Sequence, residues 1–134
     1  MQLQAEALKL INLEKVEENA QQIQRVFSEK REYTLKRLAE CGIEVEVAPE
    51  ATFYTWCNIS KLPSPINQSF DFFNECLKEK VITVPGVFFD VNPGKRRFQH
   101  HSRYNNYVRI SFGPEMSSLK TGLDSIERVI KKFT

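Results

Sequence analysis

Asn106-Tyr107-Val108-Arg109-Ile110-Ser111-Phe112 reads with period two as a β-strand. Val108, Ile110 and Phe112 share one face, and Tyr107, Arg109 and Ser111 share the other. Three apolar side chains anchor the first face in a core. The second face leaves a guanidinium with only a phenol and a hydroxyl beside it, an odd place for a permanent charge unless something anionic comes to meet it. Arg109 is therefore the first candidate functional residue. The bland alternative is an edge-strand arginine whose stem lies on the sheet while its head reaches water.

Working outward, Gly113-Pro114 ends the strand, and Leu119, Leu123, Ile126, Ile130 and Phe133 then recur at helical spacing, with Lys131 and Lys132 complementing the C-terminal dipole. Upstream, residues 90–105 carry Asn-Pro-Gly and a basic, aromatic mixture and read as a loop. Val81-Ile82-Thr83-Val84 ahead of Pro85-Gly86 reads as a buried strand and a turn, with the apolar Val87-Phe88-Phe89 following at once. Ser64 and Pro65 read as an N-cap and first-turn proline. The helix they open carries Ile66, Phe70, Phe73 and Leu77 on the face toward the sheet and ends near Lys80.

Two further strands are predicted before it. Ile43, Val45 and Val47 alternate with glutamates, and Thr52-Phe53-Tyr54-Thr55-Trp56-Cys57-Asn58-Ile59 is rich in aromatic and β-branched residues, with a turn at Pro49-Glu50-Ala51 to pair the two. Residues 1–41 read as one long helix or a helix pair. Leu3, Ala7, Leu8 and Ile11 form a short apolar face, Asn12 is a break, and Val16, Ala20, Ile23, Phe27, Thr34 and Leu38 continue to a stop at Gly42. The order predicts an α/β (α+β) two-layer sandwich, a small mixed sheet covered mainly on one face by helices. The long N-terminal helix has a stripe that the remainder of the chain can cover only in part.

A chain of 134 residues fits one domain, and at that size roughly two thirds of the unfolded surface can be buried. A hydrophobic content of 41% with 27% charged residues is ordinary globular composition, and a net charge of +2 is too small to argue for a polyanionic partner. Cys41, Cys57 and Cys76 are odd in number, without C-x-x-C spacing or histidines at zinc-ligand intervals, so neither a disulfide framework nor a metal site is indicated. No apolar run approaches a membrane span and no signal-peptide core opens the chain, so a cytoplasmic protein is expected. The sequons at Asn58 and Asn67 are then chance matches.

Three stretches taken together carry a family likeness. Pro49-Glu50-Ala51-Thr52-Phe53-Tyr54-Thr55-Trp56, Val84-Pro85-Gly86-Val87-Phe88-Phe89 and Val108-Arg109-Ile110-Ser111-Phe112-Gly113 stand in the order and at about the intervals found in the C-terminal small domain of class I/II aminotransferases. These are fold-type I pyridoxal-phosphate enzymes, aspartate aminotransferase-like. The likeness covers nearly the whole chain, so residues 1–134 are expected to form that small domain, with 1–41 as the helix linking the two domains and 43–134 as the sheet and its helices. The resemblance implies that Arg109 clamps the α-carboxylate of the substrate and that the domain closes on the larger one when substrate binds. It also implies a homodimer for the full enzyme, with amino acids and 2-oxo acids as substrates. Two positions depart from the pattern. Ala51 replaces a glycine, which argues against a positive φ there, and the 90–105 loop is longer than usual and is free to carry subgroup-specific contacts.

The resemblance also exposes what these residues lack. A transaminase needs a lysine to link to the cofactor, an acidic group for the pyridine nitrogen and a cradle for the phosphate, which in this family sit in the large domain. No such lysine environment and no glycine-rich turn entering a helix is found here. Pyridoxal phosphate is therefore expected in the full enzyme and none bound to this chain, which by itself is expected to be inactive and to contain no catalytic, cofactor-binding or metal-binding residue.

Rival readings are weaker. Lys95-Arg96-Arg97-Phe98-Gln99-His100-His101-Ser102-Arg103-Tyr104 mixes basic and aromatic residues, yet the chain is nearly neutral and no RNA-binding signature accompanies the cluster, so no nucleic-acid partner is expected. His100 and His101 are adjacent and usually point apart, which disfavours zinc. Cys57, beside Tyr54 and Trp56, reads as a buried small hydrophobe and not a nucleophile. Asn58 and Ser60 either face an interdomain cleft or cap a turn. A stand-alone, non-catalytic binding or regulatory module with the same fold is the remaining alternative.

Overall fold

The computed structural model describes residues 11–91 and 102–134. Helix α1 spans Leu13–Glu40 and is followed by strand β1, Tyr54–Asn58. Helix α2 spans Ser69–Lys78, β2 is the two-residue strand Val84–Pro85, and a 3-10 turn covers Gly86–Phe89. Strand β3, Tyr107–Ser111, leads into helix α3, Met116–Lys131. The sheet order is β1-β3-β2, so β3 is the middle strand.

The two-layer α/β class and a long N-terminal helix are as expected, while the expected apolar face at Leu3, Ala7 and Leu8 lies outside the described residues. The sheet is not mixed: both pairings among the described residues are antiparallel. Thr55 and Cys57 of β1 and Val108 and Ile110 of β3 are buried on one face. Against that face pack Leu38 of α1, Phe72 and Cys76 of α2, and Leu119, Leu123, Ile126, Val129 and Ile130 of α3. Phe133 lies just past the end of α3, partly buried on the same core. Helices therefore cover one face, and among the described residues none lies over the Arg109 face.

Asn12 acts as a helix N-cap, its Oδ1 accepting from the Lys15 N–H at 3.2 Å. Gly42, at φ +78°, stops the helix at the other end. Only Thr34 and Leu38 of α1 are buried, whereas Leu13, Val16, Ile23 and Val26 are exposed. Among the described residues, the rest of the chain thus covers only the C-terminal part of this helix.

Several local expectations are corrected. Residues 43–47 form no strand beyond a single bridge between Glu44 and Asn58. Ile43 is buried under the helices, but Val47 is 80% exposed, because nothing packs beside it to reward the alternation. No hairpin turn forms at 49–51; the Pro49 carbonyl instead accepts from Arg31 Nη1 at 3.1 Å. Ala51 has no positive φ, as expected, and the segment takes its positive φ one residue later, at Thr52 (φ +71°).

Helix α2 begins at Ser69, after Gln68, and not at Pro65. It buries Ser69, Phe72 and Cys76, leaving Phe70 and Leu77 exposed, while Ile66 is buried ahead of the helix. Apolar residues occupy both stripes of this segment, and the stripe with small Ser69 and Cys76 lets the helix axis approach the core closely. The 81–84 strand shrinks to Val84–Pro85, with Ile82 77% exposed. Proline is tolerated there because β2 is an edge strand.

Candidate functional site

Arg109 sits at the centre of the open face. Its register partner on β1 is Trp56 and on β2 is Val84, so the alternative of an edge-strand arginine is overturned. Tyr54 lies diagonally across the β1–β3 ladder, opposite Ser111. The 3-10 turn brings Phe89 to the same place. The guanidinium carbon lies over the Tyr54 ring, 4.2 Å from its centroid, and over the Phe89 ring at 5.0 Å. Among the described residues no carboxylate stands within ion-pair distance of Arg109.

The rings are themselves held. Tyr54 rests on Phe53, with centroids 4.1 Å apart. Phe89 meets Trp56 edge to face at 5.3 Å, and Trp56 stacks on Tyr107 at 5.7 Å and 13°. Tyr104 abuts both Trp56 and Tyr107 edge-on. The Tyr107 hydroxyl donates to Glu46 Oε1 at 2.8 Å, and Asn58 Nδ2 donates to the same oxygen at 2.8 Å. These hydrogen bonds, that of Asn58 foremost, draw the Glu46 carboxyl below its ordinary range, and the bond to Glu46 raises the Tyr107 phenol. Asn58 Oδ1 also accepts from the Ser60 N–H at 3.0 Å, which is the turn-capping role.

The close approach of the 3-10 turn to β3 requires glycine. A Cβ on Gly86 would stand 2.5 Å from the carbonyl oxygens of both Tyr104 and Tyr107. Ser102 Oγ donates to Asp90 Oδ2 at 2.7 Å, and the Asn105 carbonyl accepts from the Ser69 N–H at 2.7 Å, tying the run into β3 to α2. The basic residues 95–97 and both histidines lie outside the described residues.

A separate groove of about 570 Å³ runs between α1 and residues 49–53, lined in part by Ile23, Phe27, Arg31 and Phe53. Arg109 does not line it. Cys57 is fully buried and its thiol is pushed up to about 12 by that burial, consistent with a structural residue. Among the described residues no lysine is buried. Lys30 is half-buried and donates to the Gly113 carbonyl at 3.2 Å, while Lys61, Lys78, Lys131 and Lys132 stand in surface ion pairs. That set does not fit the linking lysine, the acidic partner and the phosphate cradle of a pyridoxal-phosphate site. No helix among the described residues is long and apolar enough to cross a membrane.

The sequence singled out Arg109 and missed its ring contacts. Tyr54 was recoverable from the period-two reading of β1, once its register with β3 was set. Phe89 was not, because Val87-Phe88-Phe89 carries no local mark of a 3-10 turn.

No family model matches the chain. Among curated proteins it is 28% identical over 131 residues to aromatic-amino-acid aminotransferase 2 of Thermococcus litoralis, covering 97% of this chain and 30% of that protein. It is 32% identical over 108 residues to the probable N-acetyl-LL-diaminopimelate aminotransferase of Bacillus subtilis, covering 79% of this chain and 23% of that protein. The crystal structure of an aromatic aminotransferase from Pyrococcus horikoshii superposes with a TM-score of 0.71 at 25% identity, covering 89% of this chain and 28% of that one. The chain thus spans under a third of the length of the aminotransferases it resembles, all of the fold-type I pyridoxal-phosphate class.

Proposed function

We propose that residues 1–134 are the small domain of a pyridoxal-phosphate-dependent aminotransferase, and that Arg109 grips the α-carboxylate of its amino-acid and 2-oxo-acid substrates. The observation that carries this reading is a guanidinium fixed at the centre of an open sheet face with no carboxylate partner among the described residues. A planar fork gives a carboxylate two parallel charge-assisted hydrogen bonds and so sets its orientation as well as its affinity. Orientation matters in this chemistry, because the bond broken at Cα has to stand perpendicular to the cofactor ring. Pyridoxal phosphate, when bound, supplies the electron sink. On this reading a larger domain and a partner subunit hold it, and these 134 residues alone do not transaminate. Arg109 would couple substrate capture to closure of the two domains and to exclusion of water.

The test is Arg109→Lys in the enzyme carrying both domains. Loss of the two-pronged bond is expected to lower kcat/KM by about tenfold or more, on the order of 1.5–3 kcal/mol. An unchanged kcat/KM sinks the assignment.

A further inference from the structure

We infer that Tyr54 and Phe89 are positioning residues that hold the Arg109 guanidinium through their ring faces and leave its N–H donors for the substrate carboxylate. The inference rests on the carboxylate-binding role of Arg109 and goes beyond it, to the groups that make that role possible.

An arginine on an open sheet face has four side-chain torsions to fix, and free rotation would cost binding energy each time a ligand ordered it. A carboxylate neighbour would fix the head but occupy the donors that the substrate needs. Aromatic faces avoid that conflict, because the attraction is between the ring quadrupole and the cation and consumes no N–H. Both contacts of Arg109 are of this kind, at 4.2 Å to Tyr54 and 5.0 Å to Phe89.

The two rings come from different elements, one from β1 and one from the 3-10 turn, and each is braced from behind. Phe53 supports Tyr54, and Trp56, stacked on Tyr107, supports Phe89. The Tyr54 side chain makes its contact through the ring, and no hydrogen bond from its hydroxyl is found among the described residues. A phenylalanine should therefore serve in its place.

The experiment compares Tyr54→Leu, Tyr54→Phe, Phe89→Leu and Arg109→Lys in the two-domain enzyme, together with the double variant Tyr54→Leu/Arg109→Lys. Tyr54→Leu and Phe89→Leu are each expected to raise KM for the oxo acid and lower kcat/KM by about fivefold, with Tyr54→Phe restoring it to within about twofold. In the Arg109→Lys background Tyr54→Leu should add little, since its effect passes through the guanidinium. A second readout needs no turnover: in nitrogen-labelled chain the Arg109 Nε–H resonance should carry a ring-current shift that Tyr54→Leu reduces and Tyr54→Phe keeps. If Arg109→Lys is crippled while both leucine variants match the parent, the positioning role is wrong and the carboxylate role stands. If Arg109→Lys itself matches the parent, both fall. Full additivity of Tyr54→Leu with Arg109→Lys also overturns the inference.

Discussion

Arg37 of the first helix donates through Nη2 to Glu127 of the last helix at 2.8 Å, and the same nitrogen reaches Asp124 at 2.7 Å. Its Nη1 is bound at 3.1 Å to Glu40, one turn along its own helix. This fork is the polar counterpart of the apolar contact that Leu38 makes one residue away, and it ties the buried end of α1 to α3. Lys131 and Arg37 together hold the Glu127 carboxyl down to about 2.

Breaking the fork should therefore show in a pH-dependent way. Arg37→Met is expected to lower Tm by a few degrees near neutral pH, where Glu127 is ionised. Because the folded-state pKa of Glu127 is depressed, its contribution is fully present above the ordinary carboxylate range and is lost as pH falls toward about 2. The gap between parent and variant in thermal melts should then narrow between about pH 4.5 and pH 2. A gap that stays constant across that window would mean that packing, and not the ion pairs, carries the effect.

Two glycines should respond oppositely to the same substitution. Gly86→Ala drives a methyl group into two backbone carbonyls that cannot swing aside, and is expected to cost about 1–3 kcal/mol in urea unfolding. Gly122 lies inside α3 with nothing within 4 Å of a new Cβ. Gly122→Ala should add up to about 1 kcal/mol through helix propensity. Equal effects of one sign would contradict the close contact at Gly86.

Thr34 is fully buried in α1, and its hydroxyl has no hydrogen-bond partner among the described residues. Valine keeps the shape and removes the unpaired group at little change in helix propensity. Thr34→Val is expected to stabilise the protein by about 1 kcal/mol. A lower urea midpoint in the variant would show that the hydroxyl is satisfied in solution.

The Glu46 carboxylate opposes ionisation of Tyr107, first through the hydrogen bond it accepts and then through its charge. In an ultraviolet titration one tyrosine should therefore ionise above its ordinary value. Glu46→Ala should bring that tyrosine down and loosen the Trp56 stack, readable as a change in tryptophan emission. No movement of the titration would remove Glu46 from the support of the aromatic face.

Much of the architecture was legible because apolar periodicity and its stop signals agree. The α1 cap at Asn12, the stop at Gly42 and the stripe of α3 all fall where spacing puts them. The misread elements are those in which tertiary packing chose between equal local options. The Phe70-Asp71-Phe72-Phe73 run offers two apolar stripes, and only contact with the core selects the one through Phe72. The alternation at 43–47 looks like a strand until one asks what Val47 would touch. Arg109 was visible as a charge out of place on a strand. Its ring neighbours depended on strand register and on a 3-10 turn, and neither has a local signature.

Helix α1 runs for 28 residues, which at 1.5 Å each is about 42 Å. It is held from Phe27 to Leu38, by the core, by Lys30 on the Gly113 carbonyl and by Arg31 on the Pro49 carbonyl, so its N-terminal half projects as an arm from that grip. A tilt of about 10° at Phe27 would carry Leu13 through roughly 4 Å, given that rise per residue. The packing of Phe27 and the contacts of Lys30 and Arg31 thus set the aim of a distant tip, and small changes at that grip are read out there enlarged.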